Sequence, residues 1–291
     1  MTRLLVLGDL NLDVIVRDDR ERQDEPEIRS VVRARPGGSA GTFARVAAAH
    51  GAAVTFVGAV GKDGVGDLLE RSLIDAHVTP RLVRSPLPSG VIVALQRGSE
   101  HSMICSRGAN DALSCDAVGA DLLAESDHLH ISGYALLSAA QWPAVEKALA
   151  LAHQYGLTIS VDPPPGSLVE SFGVRSFLER IPYGTWLFPN ESEGRILADE
   201  ATSETVVDRL AQRAHVGALT LGGAGSIAWR GEERNAQGAI PVEAATAVGA
   251  GDAFAGAFVA EMLDSADLSA AHCKAVAAAH GHLLDGLAIR S

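Results

Sequence analysis

Short apolar runs alternate with helical patterns through most of this chain. Leu4-Leu5-Val6-Leu7 is continuous and ends at Gly8, as expected of a parallel strand buried on both faces. Further runs at residues 54–57, 128–131, 158–161, 186–188 and 218–221 read the same way, and 226–230 reads as one more strand. Between them, helical spacing predicts helices over 42–50 (stopped by Gly51), 67–75, 139–154 (stopped by Gly156), 190–198 and 205–213. Residues 252–264 and 268–284 complete the set, and residues 58–66 read as a Gly-rich turn.

Two stretches break this alternation. Val14-Ile15-Val16 extends the first strand region after a turn, and residues 28–35, with Arg29, Arg33 and Arg35, read as a strand facing solvent, with a charged, Pro-broken loop between them. Residues 81–84, 90–96 and 101–105 read as consecutive strands without intervening helices, hence antiparallel, with a hairpin turn at 97–100. The expected architecture is α/β: a doubly wound, mostly parallel sheet plus a small β-sheet lid. The lid would come from segments at about 10–36 and 80–107 of one domain spanning residues 1–291.

Size and composition fit that architecture. A chain of 291 residues, 47% hydrophobic with 30 glycines, can bury a large core without disulfide or metal staples. The net charge of −12 argues against a nucleic-acid binder and against attraction to an anionic membrane. Cys105, Cys115 and Cys273 fit no zinc or disulfide pattern and read as free thiols in a reducing compartment. No segment reads as a signal peptide or membrane span, so a cytoplasmic protein is expected.

The candidate chemistry lies in Gly249-Ala250-Gly251-Asp252, followed by Phe254, Phe258 and Met262 at helical spacing. Glycines permit a tight turn, and a helix start presents unpaired N–H groups to an anion. The plain reading of Asp252 is a helix cap. A carboxylate beside an anion pocket also has a chemical use: it can take a proton from an attacking hydroxyl while the amides stabilise phosphate charge.

Read in order, the motifs resemble the ribokinase, or PfkB carbohydrate kinase, family. They are Gly8-Asp9-Leu10-Asn11-Leu12-Asp13, Gly37-Gly38-Ser39-Ala40-Gly41-Thr42, residues 58–66, Arg107-Gly108-Ala109-Asn110, Asn190-Glu191-Ser192-Glu193, Thr220-Leu221-Gly222-Gly223-Ala224-Gly225 and Gly249-Ala250-Gly251-Asp252. The resemblance implies an ATP- and Mg²⁺-dependent kinase acting on a primary hydroxyl of a sugar or sugar acid. It assigns Asp252 as general base and Gly249, Ala250 and Gly251 as the anion hole. Asn190 and Glu193 would organise Mg²⁺ and the ATP phosphates, Glu193 through water, while Thr220, Gly222 and Gly225 would contact nucleotide. Asn11, Asp13, Gly37, Gly38, Thr42, Arg107 and Asn110 would form the acceptor set. Family lids often pair across a two-fold axis, so a homodimer through Val91-Ile92-Val93 is expected. No Walker lysine is present, because Gly61-Lys62 is followed by Asp63.

Several positions depart from the family pattern. Thr246 stands where an Asp helps hold a monovalent cation, which weakens the case for potassium activation. Thr42 replaces the usual Asn, and Ser39 the Lys of ribokinases proper, which weakens the case for ribose. Arg107 could bind an acidic substrate group or be a solvated arginine. A nucleoside kinase of adenosine or pseudouridine type is the alternative. Against it, residues 80–107 hold no aromatic for stacking a base, and Phe43 lies elsewhere near the pocket.

Three unrelated readings carry less. Gly37-Gly38-Ser39-Ala40-Gly41 matches the hydrolase elbow with Ser39 as nucleophile, but a charged segment ending in Pro36 precedes it. No Rossmann glycine motif follows the first strand, and His280-Gly281-His282 lacks further zinc ligands. Asp162 ends a strand before Pro163-Pro164-Pro165 and reads mainly as turn chemistry, with a helper role near Mg²⁺ as the other reading.

Overall fold

The computed structural model describes residues 1–17, 30–97, 100–242 and 248–287. The expected loop after Arg17, the middle of the 97–100 turn and Thr246 lie outside the described residues. The chain opens with β1 (Arg3–Leu7), β2 (Asn11–Arg17), β3 (Val31–Gly37), α1 (Ser39–Ala49), β4 (Ala53–Gly61), α2 (Gly64–Asp75), β5 (Thr79–Ser85), β6 (Gly90–Arg97) and β7 (Glu100–Ser106). Two 3₁₀ turns lead to α3 (Ala120–Ala124), β8 (His128–Ser132), α4 (Gly133–Leu137), α5 (Trp142–Tyr155), β9 (Thr158–Asp162), α6 (Gly166–Phe172), α7 (Val174–Glu179) and β10 (Trp186–Leu187). The chain ends with α8 (Glu191–Ala198), α9 (Ser203–Ala211), β11 (Val216–Thr220), β12 (Ser226–Arg230), β13 (Glu233–Gln237), α10 (Ala250–Ser265) and α11 (Leu268–Leu287).

A nine-stranded sheet runs β13-β12-β11-β10-β9-β8-β1-β4-β5, parallel except for β12 and β13. Alternation along β1 shows why both faces need helices. Leu4 and Val6 enter the core beneath α1, α2, α10 and α11, whereas Leu5 and Leu7 enter the core beneath α3 to α9. The second sheet has four strands, β3-β2-β6-β7, contributed by two separate stretches of chain. This is the doubly wound sheet with a small separate sheet that the sequence pattern implies.

The structure corrects some boundaries. Residues 81–84 are not part of an antiparallel run: β5 pairs parallel with β4 at the edge of the large sheet, and only β6 and β7 form the hairpin. The second stretch of the small sheet therefore begins at Gly90. Residues 58–61 continue β4 instead of turning. A Cβ on Gly58 would lie 2.9 Å from the Gly8 carbonyl, so glycine here permits close strand approach. Asp63 then starts α2, accepting from Gly66 N–H at 2.7 Å and Ser89 N–H at 2.8 Å. Helix α5 begins at Trp142, three residues later than the pattern implies, with Pro143 in its first turn. The sequence reading missed α3, α4, α6, α7 and the polar edge strand β13.

Two buried histidines pin β8 to β9. His128 Nδ1 lies 2.7 Å from Thr158 Oγ1, and Ser160 Oγ lies 2.7 Å from His128 Nε2 and 2.8 Å from His130 Nδ1. His130 Nε2 has no partner. An orphaned acceptor costs less than an orphaned N–H, so His130 carries its proton on Nδ1 and donates to Ser160. Ser160 then donates to His128 Nε2, and His128 Nδ1–H donates to Thr158. Phe43 stacks on His130 at 3.4 Å and is fully buried, so it belongs to the core and not to a ligand pocket. Ser160→Ala orphans two imidazole nitrogens at once and is expected to cost about 1–3 kcal/mol in urea unfolding at neutral pH.

Candidate active site

The motif residues converge where parallel strands end. Asp9 follows β1, Ser132 ends β8, Asp162 ends β9, and Thr220 ends β11. Asn190 follows β10 and bridges to Thr220. Ligands sit outside the carboxyl ends of strands in such sheets. A cavity of about 200 Å³ lies there, and Asp9, Asp13, Asp162, Glu193 and Asp252 all contribute to its wall. A larger cavity of about 720 Å³ beside α7, α8 and α9, lined by Leu178, Tyr183 and Arg213 among others, gathers none of the motif residues. Volume alone does not identify the site.

Gly249 caps α10 in the left-handed conformation, with φ at 82°, and no side chain caps this helix. The plain reading of Asp252 as the cap is therefore set aside: Asp252 lies in the third position of α10. The first N–H groups of a helix lack intrahelical acceptors, so this end is a polar cradle beside a carboxylate. Gly249, Gly251 and Asp252 line the cavity, whereas Ala250 presents only its place in the turn.

Asn190 and Glu193 form a capping box. Asn190 Oδ1 accepts from Glu193 N–H at 3.0 Å, while Glu193 accepts from Asn190 N–H at 2.9 Å and from Asn190 Nδ2 at 2.6 Å. Burial pushes the Glu193 carboxyl from 4.5 up to about 8, against the pull of the Asn190 N–H groups. Between those values the unfolded chain has lost the proton and the folded chain keeps it, so stability falls as pH rises through that window. Glu193→Gln preserves a capping box. It is expected to flatten the pH dependence of the unfolding free energy between about pH 5 and 8.

The acceptor set divides. Asp13, Gly38 and Thr42 line the cavity. Asn11 sits behind them, donating to Asp9 Oδ2 at 3.0 Å and accepting from Asn110 Nδ2 at 2.7 Å. Asn110 Oδ1 accepts from Leu10 N–H at 2.9 Å. Arg107 donates to Asp111 at 2.7 Å and to Gln141 at 2.9 Å, and it does not line the cavity. A Cβ on Gly37 would fall 2.0 Å from Asp13 Oδ2, and one on Gly38 would fall 2.8 Å from the Asp9 carbonyl. These two glycines let the small sheet close on α1. Gly222 and Gly225 form the turn between β11 and β12, beside Thr220 but off the cavity wall.

Sequence reasoning missed Asp9 and Tyr134 and gave Asp162 only a minor role. Asp9 accepts from Ser132 Oγ at 2.7 Å and Ser39 N–H at 3.2 Å, joining β8 and α1 behind the cavity. Burial raises Asp9 and raises Asp13 to about 6, with Arg35 opposing the shift at Asp13. Asp162 rises well above the carboxylate range, through burial and then through the charge and hydrogen bond of Asp252. Their signal was position: each lies at, or within two residues of, the end of a parallel strand.

This concentration of buried carboxyls is chemically suited to a divalent cation with phosphates. Among the described residues, no three His, Cys, Asp or Glu side chains form a group that could hold a metal ion. A cation held through phosphate oxygens and water fits that arrangement. Ser39 follows β3, a strand of the small sheet, and so lacks the buried parallel strand a hydrolase elbow needs. His282 lies against the Val248 carbonyl at 3.1 Å and not in a metal cluster. Among the described residues, no helix is long and apolar enough to cross a membrane.

Comparisons with known proteins agree with the motifs. Residues 1–284 match the pfkB family carbohydrate kinase description. The chain is 29% identical to an ATP-dependent ribose-1-phosphate kinase of Halopiger xanaduensis, covering 93% of this chain and 88% of that one. It is 26% identical to a ribokinase of Bacillus subtilis, covering 93% and 89%. In fold it resembles an adenosine kinase of Sinorhizobium meliloti, with TM-score 0.85, 24% identity and coverage of 96% and 93%. It also resembles an E. coli protein described as a ribokinase II in complex with ATP and Mg²⁺, with TM-score 0.83, 24% identity and coverage of 96% and 92%.

Proposed function

The chain belongs to the pfkB family of carbohydrate kinases and is an ATP-dependent carbohydrate kinase; from that premise we propose that it phosphorylates a primary hydroxyl of a sugar, with Asp252 as general base. The observation that carries this reading is the placement of Asp252 in the first turn of α10, beside the amides of Gly249, Ala250 and Gly251, on a cavity that Asp13 also lines.

Asp13 and the main chain at Gly38 hold acceptor hydroxyls, while Asn11 and Asn110 brace them from behind. Asp252 takes the proton from the reacting hydroxyl as its oxygen bonds to the terminal phosphorus of ATP and the bond to ADP breaks. The α10 amides stabilise the charge on the transferring phosphoryl oxygens. Mg²⁺, when bound, neutralises phosphate charge. Asn190, Glu193 and Asp162 would hold it, Glu193 through water. Thr220, Gly222 and Gly225 place the nucleotide. Because Arg107 is already paired with Asp111 and Gln141, a neutral sugar fits better than a sugar acid.

Tyr134 and Phe188 on the cavity wall favour a second reading, a nucleoside acceptor, since they supply ring surface that the small sheet lacks. An ADP-release screen over sugars, sugar acids, ribose 1-phosphate and nucleosides, with Mg²⁺ and with or without K⁺, decides between them. Turnover with a sugar and without a K⁺ requirement is expected. Turnover with nucleosides alone would replace the sugar reading.

The small sheet also supports a homodimer. Asp13, Arg35, Ile92 and Cys105 share the face turned to the cavity, and Ala34, Val14, Val93 and Ile104 share the opposite face. Val32 is 60% exposed and Ile104 62% exposed on that outer apolar face. Ile92 thus faces the cavity, and Val91 and Val93 face outward. Sedimentation is expected to give twice the 30.2 kDa chain mass.

A further inference from the structure

Asp13 and Arg35 are direct register partners on β2 and β3, and they turn to the same face of the small sheet. Asp13 forms part of the cavity wall, and the charge of Arg35 opposes the effect of burial on its carboxyl. The Arg35 side chain also reaches out of the small sheet. Its Nη2 donates to the Val248 carbonyl at 2.9 Å and lies 3.3 Å from His282 Nε2. An arginine has only donors, so the imidazole nitrogen receives this contact as an acceptor. Burial and the Arg35 charge both lower the His282 pKa, which keeps the ring neutral and able to accept.

Val248 directly precedes Gly249, the residue whose left-handed turn starts α10. A Cβ on Gly249 would lie 2.7 Å from His282 Nε2, so the imidazole packs directly against the turn. The turn is therefore held from one side by α11 and from the other by a strand of the small sheet.

We infer that Arg35 is a positioning residue that couples the acceptor end of the site to the phosphoryl end: one guanidinium, carried by the strand partner of Asp13 and felt by its carboxyl, also holds the Val248 carbonyl, which orients the amides of Gly249, Ala250 and Gly251. This inference rests on the proposed role of those amides. Its consequence is geometric. When the small sheet is seated, the amide cradle is held at the angle that phosphoryl transfer needs. When the guanidinium is removed, the acceptor still has Asp13, but the Val248 carbonyl loses its donor and only the packed His282 ring remains against the turn. Small misplacements of a preorganised site cost up to about 10²-fold in rate. The His282 ring receives the Arg35 N–H and packs against the same turn, so the two side chains act on one element and their effects are not independent.

Hydrogen exchange and steady-state kinetics on the full-length protein test this, with Arg35→Ala, Arg35→Lys and His282→Ala compared with the parent. Arg3→Ala serves as control, because it breaks only the remote pair with Asp127. The expected result is faster exchange in Arg35→Ala of the Ala253 amide, which donates to the Gly249 carbonyl at 3.0 Å and so reports the turn. The kcat of this variant should fall about 10- to 10²-fold with the KM for ATP within about twofold, and Arg35→Lys should recover part of the loss. The double variant Arg35→Ala with His282→Ala should lose less than the product of the single losses. The inference is overturned if exchange at Ala253 matches the parent and the control. It is also overturned if Arg35→Ala raises only the KM of the acceptor with kcat intact. The exchange readout needs no turnover, so it separates this inference from the function reading. Normal turnover in Asp252→Asn with exchange still quickened by Arg35→Ala would remove the base assignment and leave the coupling.

Discussion

An Asp252→Asn protein is expected to bind ATP as the parent does and to turn over ~10²–10⁴-fold more slowly, the usual contribution of a general base. Asn nearly matches Asp in shape, and Asp252 does not cap α10, so the helix start should survive the change. Proton acceptance is what is lost. The nearest other carboxyl, Asp162, is raised by burial first and then by the charge and hydrogen bond of Asp252, so the two act as a pair and the variant removes one member of it. Titration of ATP binding by calorimetry and single-turnover phosphoryl transfer separate the two effects. Near-normal transfer with normal ATP binding would sink the assignment of Asp252.

The second large effect is expected from Gly249→Ala. Its left-handed φ of 82° disfavours any residue with a Cβ by roughly 1–2 kcal/mol. The added atom would also press on the His282 ring, which is itself in contact with Arg35 and Val248. Set against a typical stability of about 5–15 kcal/mol, this strain does not unfold the protein. Relief is available by rotating the turn, and rotation re-aims the amides. Losing one such donor typically costs ~10²–10³ in kcat. The expected outcome is a cooperative thermal melt, lowered by a few degrees, together with kcat reduced by that factor. Unchanged kcat in a folded Gly249→Ala protein would show that the amides do not stabilise the transition state.

Much of the site was legible because its pieces are local. Asn190 and Glu193 are three residues apart and meet as a capping box, and Gly249 starts a helix three residues before Asp252. Such geometry depends on a few backbone dihedrals, which residue types strongly constrain. Arg107 shows the limit of that kind of reading. Its type and place suggested an anion ligand, yet the fold gives it Asp111 and Gln141 as partners. Phe43 shows it again, since its neighbour is His130 in the core.

From the sequence alone followed the alternation of buried strands and helices, the helix starts that can cradle phosphate, and the family that the ordered motifs resemble. Each rests on apolar periodicity or on turns of a few residues. Only the tertiary structure decided that β5 joins the large sheet, that Asp9 meets Ser132 across 123 positions, and that Arg35 meets Val248 across 213. Those meetings depend on the order in which strands assemble. Strand order is set by how whole faces bury against one another, and no short segment carries that information.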